Sequence, residues 1–222
     1  MNIIQKILKN GLKTYIAAIP HMIVHHYDGF CDKKVCGRSL VNTIPTKFKY
    51  LGATNSQPSH WLVLKELFKG SEFTSNDKII DIGCGQGRVI AFLIKNKFPG
   101  EIHGIEIDSD IAKICTDWAK KYNNVSIING NAFEHDYNQY TILFMGRPLE
   151  HPQFIKFIEK LENEINHPIM LYHNWSTPTE EYLKNRKGWC LTKSQTYLKK
   201  WGLPLAGTPQ KFSIFSYTPQ NN

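Results

Sequence analysis

Lys78-Ile79-Ile80-Asp81-Ile82-Gly83-Cys84-Gly85-Gln86-Gly87-Arg88-Val89-Ile90 decides the fold, together with Ile102-His103-Gly104-Ile105-Glu106-Ile107-Asp108 beyond it. An apolar strand runs into three alternate glycines and an apolar helix, and the next strand closes on an acidic residue. Glycines in such a turn permit positive φ and let the backbone touch a ligand with no Cβ in the way. A carboxylate nineteen residues past Gly87, at Glu106, can accept hydrogen bonds from both hydroxyls of a ribose. Together these features describe a nucleotide-sized pocket. A dinucleotide fold would place glycine at position 88 to admit a pyrophosphate, and this chain has Arg88. No Gly-Lys-Ser/Thr follows, which excludes a phosphate-binding P-loop.

Outward from this stretch the chain alternates. Strands are expected at 78–82, 101–107, 125–129, 141–145 and 168–173, with helices at about 88–97, 109–122, 152–166 and 178–185. Short apolar strands between helices predict a parallel sheet buried on both faces. Two further strand-like runs, 189–198 and 211–218, have no helix between them and predict an antiparallel finish. Ser56-Gln57-Pro58-Ser59 reads as the cap of another helix ending at Gly70, and Thr177-Pro178-Thr179-Glu180 as a capping box.

Upstream, Ile3, Ile4, Ile7, Leu8, Leu12, Tyr15, Ile16 and Ile19 recur at helical spacing with Lys6, Lys9 and Lys13 off the stripe. This predicts a basic amphipathic helix cut short by Pro20, which either covers an edge of the domain or lies in a membrane interface. Residues 21–55 look irregular, so residues 1–55 are expected to be helix and cap, and residues 56–222 the main domain. Residues 1–50 carry 8 basic against 2 acidic side chains, residues 51–183 carry 12 against 17, and residues 184–222 carry 7 against none. Basic ends suit a polyanion or an anionic membrane surface, or are simply solvated. Five scattered cysteines, odd in number, fit a reduced cytoplasmic setting with possible membrane association. His21, His25, His26, Cys31 and Cys36 lack a usual zinc spacing, and no metal is expected.

From Ser56 to Thr218 the residues resemble the class I S-adenosylmethionine-dependent methyltransferases, with Asp81 to Val89 looking like the family's glycine motif and Glu106 like its ribose-binding acid. The resemblance implies a Rossmann-like three-layer α/β/α sandwich whose mostly parallel seven-stranded sheet ends in a C-terminal antiparallel hairpin. It implies S-adenosyl-L-methionine as cofactor, held by Asp81, Gly83, Cys84, Gly85, Gly87, Glu106, Ile107, Asn131 and Ala132. Asn131 stands where the family commonly has an aspartate for the adenine amino group.

Methyl transfer is an in-line displacement that needs positioning and dryness, and a base only where the acceptor must lose a proton. Nucleobase amino-methyltransferases tend to place Asn or Asp before Pro-Pro-Tyr or Pro-Phe at the end of the fourth strand. Here stands Gly146-Arg147-Pro148-Leu149, which makes a nucleic-acid acceptor unlikely on this reading and suits an anionic group, unless Arg147 simply pairs with Glu150. His173 is the candidate base, Tyr172 and Trp175 the candidate walls of an acceptor pocket, and His135 with Asp136 a weaker pair. Residues 55–61 are expected to fold over the methionine end of the cofactor. The acceptor is read as a small-molecule, glycan or lipid-linked group. A protein lysine is the alternative, and an inactive cofactor-binding subunit the reading from another class.

Overall fold

The computed structural model describes residues 12–220. Helix α1 (Leu12–Cys36) leads to a long irregular segment and then to α2 (Trp61–Leu67). The alternating part follows as β1 (Lys78–Ile82), α3 (Arg88–Lys95), β2 (Glu101–Glu106), α4 (Ser109–Ala119), β3 (Val125–Asn129), β4 (Ile142–Met145), α5 (His151–Glu164) and β5 (Ile169–Asn174). A short α6 (Glu180–Lys184) precedes β6 (Trp189–Tyr197), the two-residue strands β7 (Lys199–Lys200) and β8 (Leu203–Pro204), and β9 (Gln210–Tyr217).

The main sheet has the order β3-β2-β1-β4-β5-β9-β6. Its first five strands are parallel, and β9 runs antiparallel to both β5 and β6. The seven-stranded, mostly parallel sheet with a C-terminal antiparallel pair is the expected one. β7 and β8 add a small separate hairpin inside the last connection.

Two apolar cores follow from strand alternation. Ile79, Ile102, Phe144 and Tyr172 face α1, α2 and α3, and Ile80, Ile82, Leu143 and Leu171 face α5. Because both faces are covered, β1 and β4 read as unbroken apolar runs interrupted only by Asp81.

The N-terminal expectation is corrected in two ways. Pro20 lies inside α1 instead of ending it, and residues 21–36 are helical, not irregular. A proline removes one helical hydrogen bond at a cost of about 3 kcal/mol. The turns beyond it recover that cost by burying Val24, Asp28, Cys31, Asp32, Val35 and Cys36 against the domain. Met22, Ile23, Tyr27 and Phe30 on the opposite side of α1 remain exposed. Residues 1–11, which carry half of the expected amphipathic stripe, lie outside the described residues. No helix among the described residues is long and apolar enough to cross a membrane.

Both expected caps are also corrected. α2 begins at Trp61 with His60 in the cap position, and the backbone N–H of Trp61 donates to Asp28 Oδ1 at 3.1 Å, so the cap comes from α1. The Thr179 side chain makes no cap bond to α6, and Glu180 turns to Ser194, Ser213 and Lys211.

Candidate functional site

The connections from β1 and β4 leave toward opposite sides of the sheet, opening a crevice at the carboxyl ends of these two neighbours. A cavity of about 180 Å³ lies there. Asp81, Gly83, Cys84 and Gly85 line it from the loop after β1, Glu106 and Ile107 from the end of β2, and Asn131 and Ala132 from beyond β3. Gly87 does not. It presses against Cys115 and Trp118 of α4 and belongs to the support of the loop.

Two glycines are dictated by close approach. Gly83 has φ 68° and a Cβ there would sit 2.3 Å from Pro148 Cβ, while Gly85 has φ 55° and its Cβ would meet Ser56 Oγ at 2.4 Å. Residues 54–59 therefore lie directly on the loop and line the cavity, as expected for the segment before α2. Trp118 Nε1 donates to the Gln86 carbonyl at 3.0 Å, and Gln86 Nε2 donates to the Asn42 carbonyl at 2.7 Å, which fixes the loop from behind.

The cavity is acidic at its inner end. Burial, with Glu106 beside it, pushes the pKa of Asp81 well above the usual carboxylate range, and its carboxyl takes no side-chain hydrogen bond from the described residues. A nearly buried acid facing a cavity without a protein partner fits a cationic ligand group, such as an ammonium. Burial raises the pKa of Glu106 as well, against backbone donors that pull it down: Gly85 N donates to Oε2 and Asp108 N to Oε1, each at 3.0 Å. The carboxylate also borders the cavity, where it can accept from a diol. Asn131 closes the turn Ala132–Glu134, accepting from Phe133 N at 3.0 Å and donating to Glu134 at 3.0 Å.

The acceptor end differs from expectation. Arg147 lines the cavity mouth and is exposed, but its neighbour is Trp175, not Glu150, with which it forms no ion pair among the described residues. The guanidinium carbon is 5.9 Å from the Trp175 ring centre, within cation–π range. Both residues are left-handed, with φ 59° and 62°. The Arg147 backbone is held by Thr54 Oγ1, which donates to its carbonyl at 2.7 Å, and by the Ala53–Leu149 bridge. Arg147, which precedes Pro148 where an amine-gripping amide or acid would stand, has donors and no acceptor.

His173 is corrected outright: it does not line the cavity. On β5, Tyr172 and Asn174 face α2 while His173 faces α5, where it is 1% exposed and stacked on Phe154 at 5.2 Å. Its Nδ1 lies 3.1 Å from the Met145 carbonyl, which only accepts, so Nδ1 carries the proton and Nε2 accepts from Thr179 Oγ1 at 2.7 Å. Burial lowers its pKa to about 4. Such a histidine is a neutral structural link between strands. Tyr172 is likewise no pocket wall, being stacked on Phe68 at 4.8 Å. His135 and Asp136 also lie off the cavity, bonded to Tyr140 and Asn138.

The residue whose role sequence reading missed is Arg88. Its guanidinium is buried, donating to both Asp32 oxygens at 3.0 and 2.8 Å and to Asp28 Oδ2 at 3.2 Å. Asp32 also accepts from Trp61 Nε1 and Leu40 N, and Asp28 contacts His60 Nδ1 at 2.6 Å. The arginine that ruled out a dinucleotide thus ties the loop's helix to α1. A signal was available: Asp28 and Asp32 are the two acids of the first fifty residues and stand four apart on one helical face.

Residues 73–167 match a family model described as a methyltransferase domain. Ribosomal RNA small subunit methyltransferase A of Clostridium botulinum (strain Langeland) is 29% identical over 108 residues, covering 49% of this chain and 36% of the relative. The chain thus spans about a third of the length of the curated relatives it matches. Among solved structures, an RNA methyltransferase from Salinibacter ruber in complex with S-adenosyl-L-homocysteine aligns with a TM-score of 0.51 at 19% identity, covering 74% of this chain and 95% of that one. The YcgJ protein of Bacillus subtilis aligns with a TM-score of 0.52 at 12% identity, covering 73% and 100%. The matched residues run from just before β1 to just past α5 and so contain the glycine loop, Glu106 and the mouth at Arg147.

Proposed function

We propose, from the premise that the chain carries a class I S-adenosylmethionine-dependent methyltransferase domain, that it transfers a methyl group to an acceptor presenting an anionic group at Arg147. The observation that carries this reading is the cavity at the β1–β4 crevice, with an unpartnered buried Asp81 at one end and an unpaired Arg147, counted among the described residues, at the other. Bound there, the cofactor supplies a methyl on a sulfonium, already activated for in-line displacement. The rest is the chain's work. Asp81 pairs with an ammonium, Glu106 accepts from a ribose diol, and Ile107 with the Asn131–Ala132 turn borders a flat base. Residues 44–59 act as a lid that keeps water from the reacting atoms. No base is assigned, because His173 is sealed within the fold. A small-molecule, glycan or lipid-linked acceptor suits the exposed arginine at the cavity mouth.

A second reading, RNA, is favoured by the relatives whose names give them ribosomal RNA as substrate. Its phosphates are also anionic. Arg147 in place of an Asn or Asp before Pro148 argues that any such acceptor is not an exocyclic amine gripped by a carboxamide. Membrane contact, if the chain makes it, belongs to the exposed face of α1 at Met22, Ile23, Tyr27 and Phe30, and liposome flotation tests it. The central test is calorimetry with S-adenosylmethionine followed by labelled-methyl transfer to fractionated lysate. Absence of binding by the wild type, or binding unaffected by Glu106→Ala, overturns the cofactor assignment. Labelling that is indifferent to Arg147→Gln overturns the acceptor assignment.

A further inference from the structure

A second concavity, of about 480 Å³, lies between the ends of α2 and α3 and the β7–β8 hairpin. Phe73 and Phe98 form part of its floor, Lys65, Lys69 and Lys200 stand around it, and Trp201 closes one side. Trp201 is 75% exposed. It has φ 53° and Gly202 has φ 78°, so this two-residue loop is left-handed at both positions, a geometry that favours Asn-Gly and disfavours a bulky aromatic first residue. Placing an indole there costs backbone strain and exposes apolar surface that folding alone would bury. Lys200 Nζ lies 4.9 Å from the Trp201 ring centre and pairs with Glu66, which holds the hairpin tip beside α2.

An exposed aromatic face set among lysines is the chemistry of single-stranded nucleic acid: bases stack on the ring and ammonium groups take the phosphates. Charge agrees, since Lys65 and Lys69 line the groove and form no ion pair among the described residues. Phe68, also on the groove, stacks on Phe144 at 6.0 Å, and Phe144 lines the cofactor cavity, so groove and cavity share a wall. Lys199-Lys200-Trp201-Gly202 sets an aromatic among basic residues, completed by Lys65 of α2 and Lys69 just beyond it, which are distant in sequence.

We propose that this groove binds single-stranded RNA, with a base on Trp201 and phosphates at Lys65 and Lys69, a proposal that rests on the RNA reading of the acceptor. The test uses the full chain and a fluorescein-labelled oligouridylate followed by anisotropy. Trp201→Ala is expected to weaken binding by about tenfold or more while Trp201→Phe keeps most of it. Lys65→Ala with Lys69→Ala is expected to lower the slope of log affinity against log salt by about 1.4, two phosphates' worth on a single strand. All variants should keep wild-type affinity for S-adenosylmethionine. Absence of oligouridylate binding at low salt, or indifference to Trp201→Ala, overturns the proposal, and so does equal competition by a polyglutamate peptide, which would give the groove to an acidic protein segment. Binding to the groove without methyl transfer to RNA leaves the groove standing and removes RNA as acceptor. Methyl transfer to RNA that ignores Trp201→Ala does the reverse.

Discussion

The two rims of the cavity are built by opposite means. At the glycine rim, backbone does the shaping: Gly83 and Gly85 take positive φ without a Cβ, and the buried Glu106 accepts from Gly85 N. At the β4–β5 rim, side chains do it: Arg147 lines the mouth with Trp175 beside it, both holding similar left-handed angles with full side chains, the guanidinium within cation–π range of the ring. A non-glycine residue in that region costs on the order of 1 kcal/mol or more. The first rim is therefore unstrained and general to a nucleotide-like ligand. The second is strained and particular, as expected where a chain selects its acceptor.

The largest effect should come from the support of the first rim. Arg88→Met leaves Asp28 and Asp32 buried without their cation, and removing one partner of such a network costs about 3–5 kcal/mol. Urea unfolding is expected to show that loss, together with weaker cofactor binding, because Arg88 holds α1 through Asp28 and Asp32 and the cavity-lining residues 58–59 through their carbonyls. A loss within about 0.5 kcal/mol, the range of an ordinary surface substitution, would break the claim that α1 is part of the site's frame.

His173 gives the next largest signal. Its pKa is lowered to about 4 in the folded protein against an ordinary value near 6.5. Between those values the unfolded chain binds a proton that the folded one refuses, so the stability is fully present above pH 6.5 and is lost as pH falls toward 4. Relative to His173→Gln, wild type should lose up to roughly 3 kcal/mol across that window. The cofactor affinity of the variant should match wild type, and a lowered turnover at unchanged stability would return His173 to the catalytic rim.

Glu106→Ala should weaken S-adenosylmethionine by about tenfold to a hundredfold, the loss of one or two hydrogen bonds to a charged group. Asp81 adds a sign. With its pKa raised by burial, Asp81 ionises above the ordinary carboxylate range, so affinity for an ammonium should rise with pH through that titration, and binding within that window should release protons. Calorimetry in buffers of different ionisation enthalpy measures that release directly. Proton uptake would contradict the assignment of the inner end.

The rims also differ in how far sequence revealed them. Strand boundaries, the order of glycines and the acid at Glu106 are local patterns with fixed spacing, so the sheet and the residues of the first rim could be placed before any coordinates. The placement of Arg88 against Asp28 and Asp32 joins positions about sixty residues apart, and no local period encodes such a partner. The misreading of His173 has a simpler cause: a histidine at the end of a strand faces one of two sides, and only the neighbours across β4 decide which. Pro20 shows tertiary burial overriding a local helix-breaking preference.

Arg147→Gly offers the smallest effect and the sharpest separation of the rims. Glycine takes φ 59° without strain, so the variant should gain about 0.5–1 kcal/mol in the folded state, less some of that through a more flexible unfolded chain. The backbone contacts at this position use the carbonyl, which glycine keeps. Cofactor affinity should therefore hold while transfer to an anionic acceptor falls at least tenfold. Stability up with activity down identifies the strain as maintained for recognition. Stability down instead would mean that the Arg147–Trp175 stack, not the backbone angle, governs this rim, and the contrast with the glycine side would rest on packing alone.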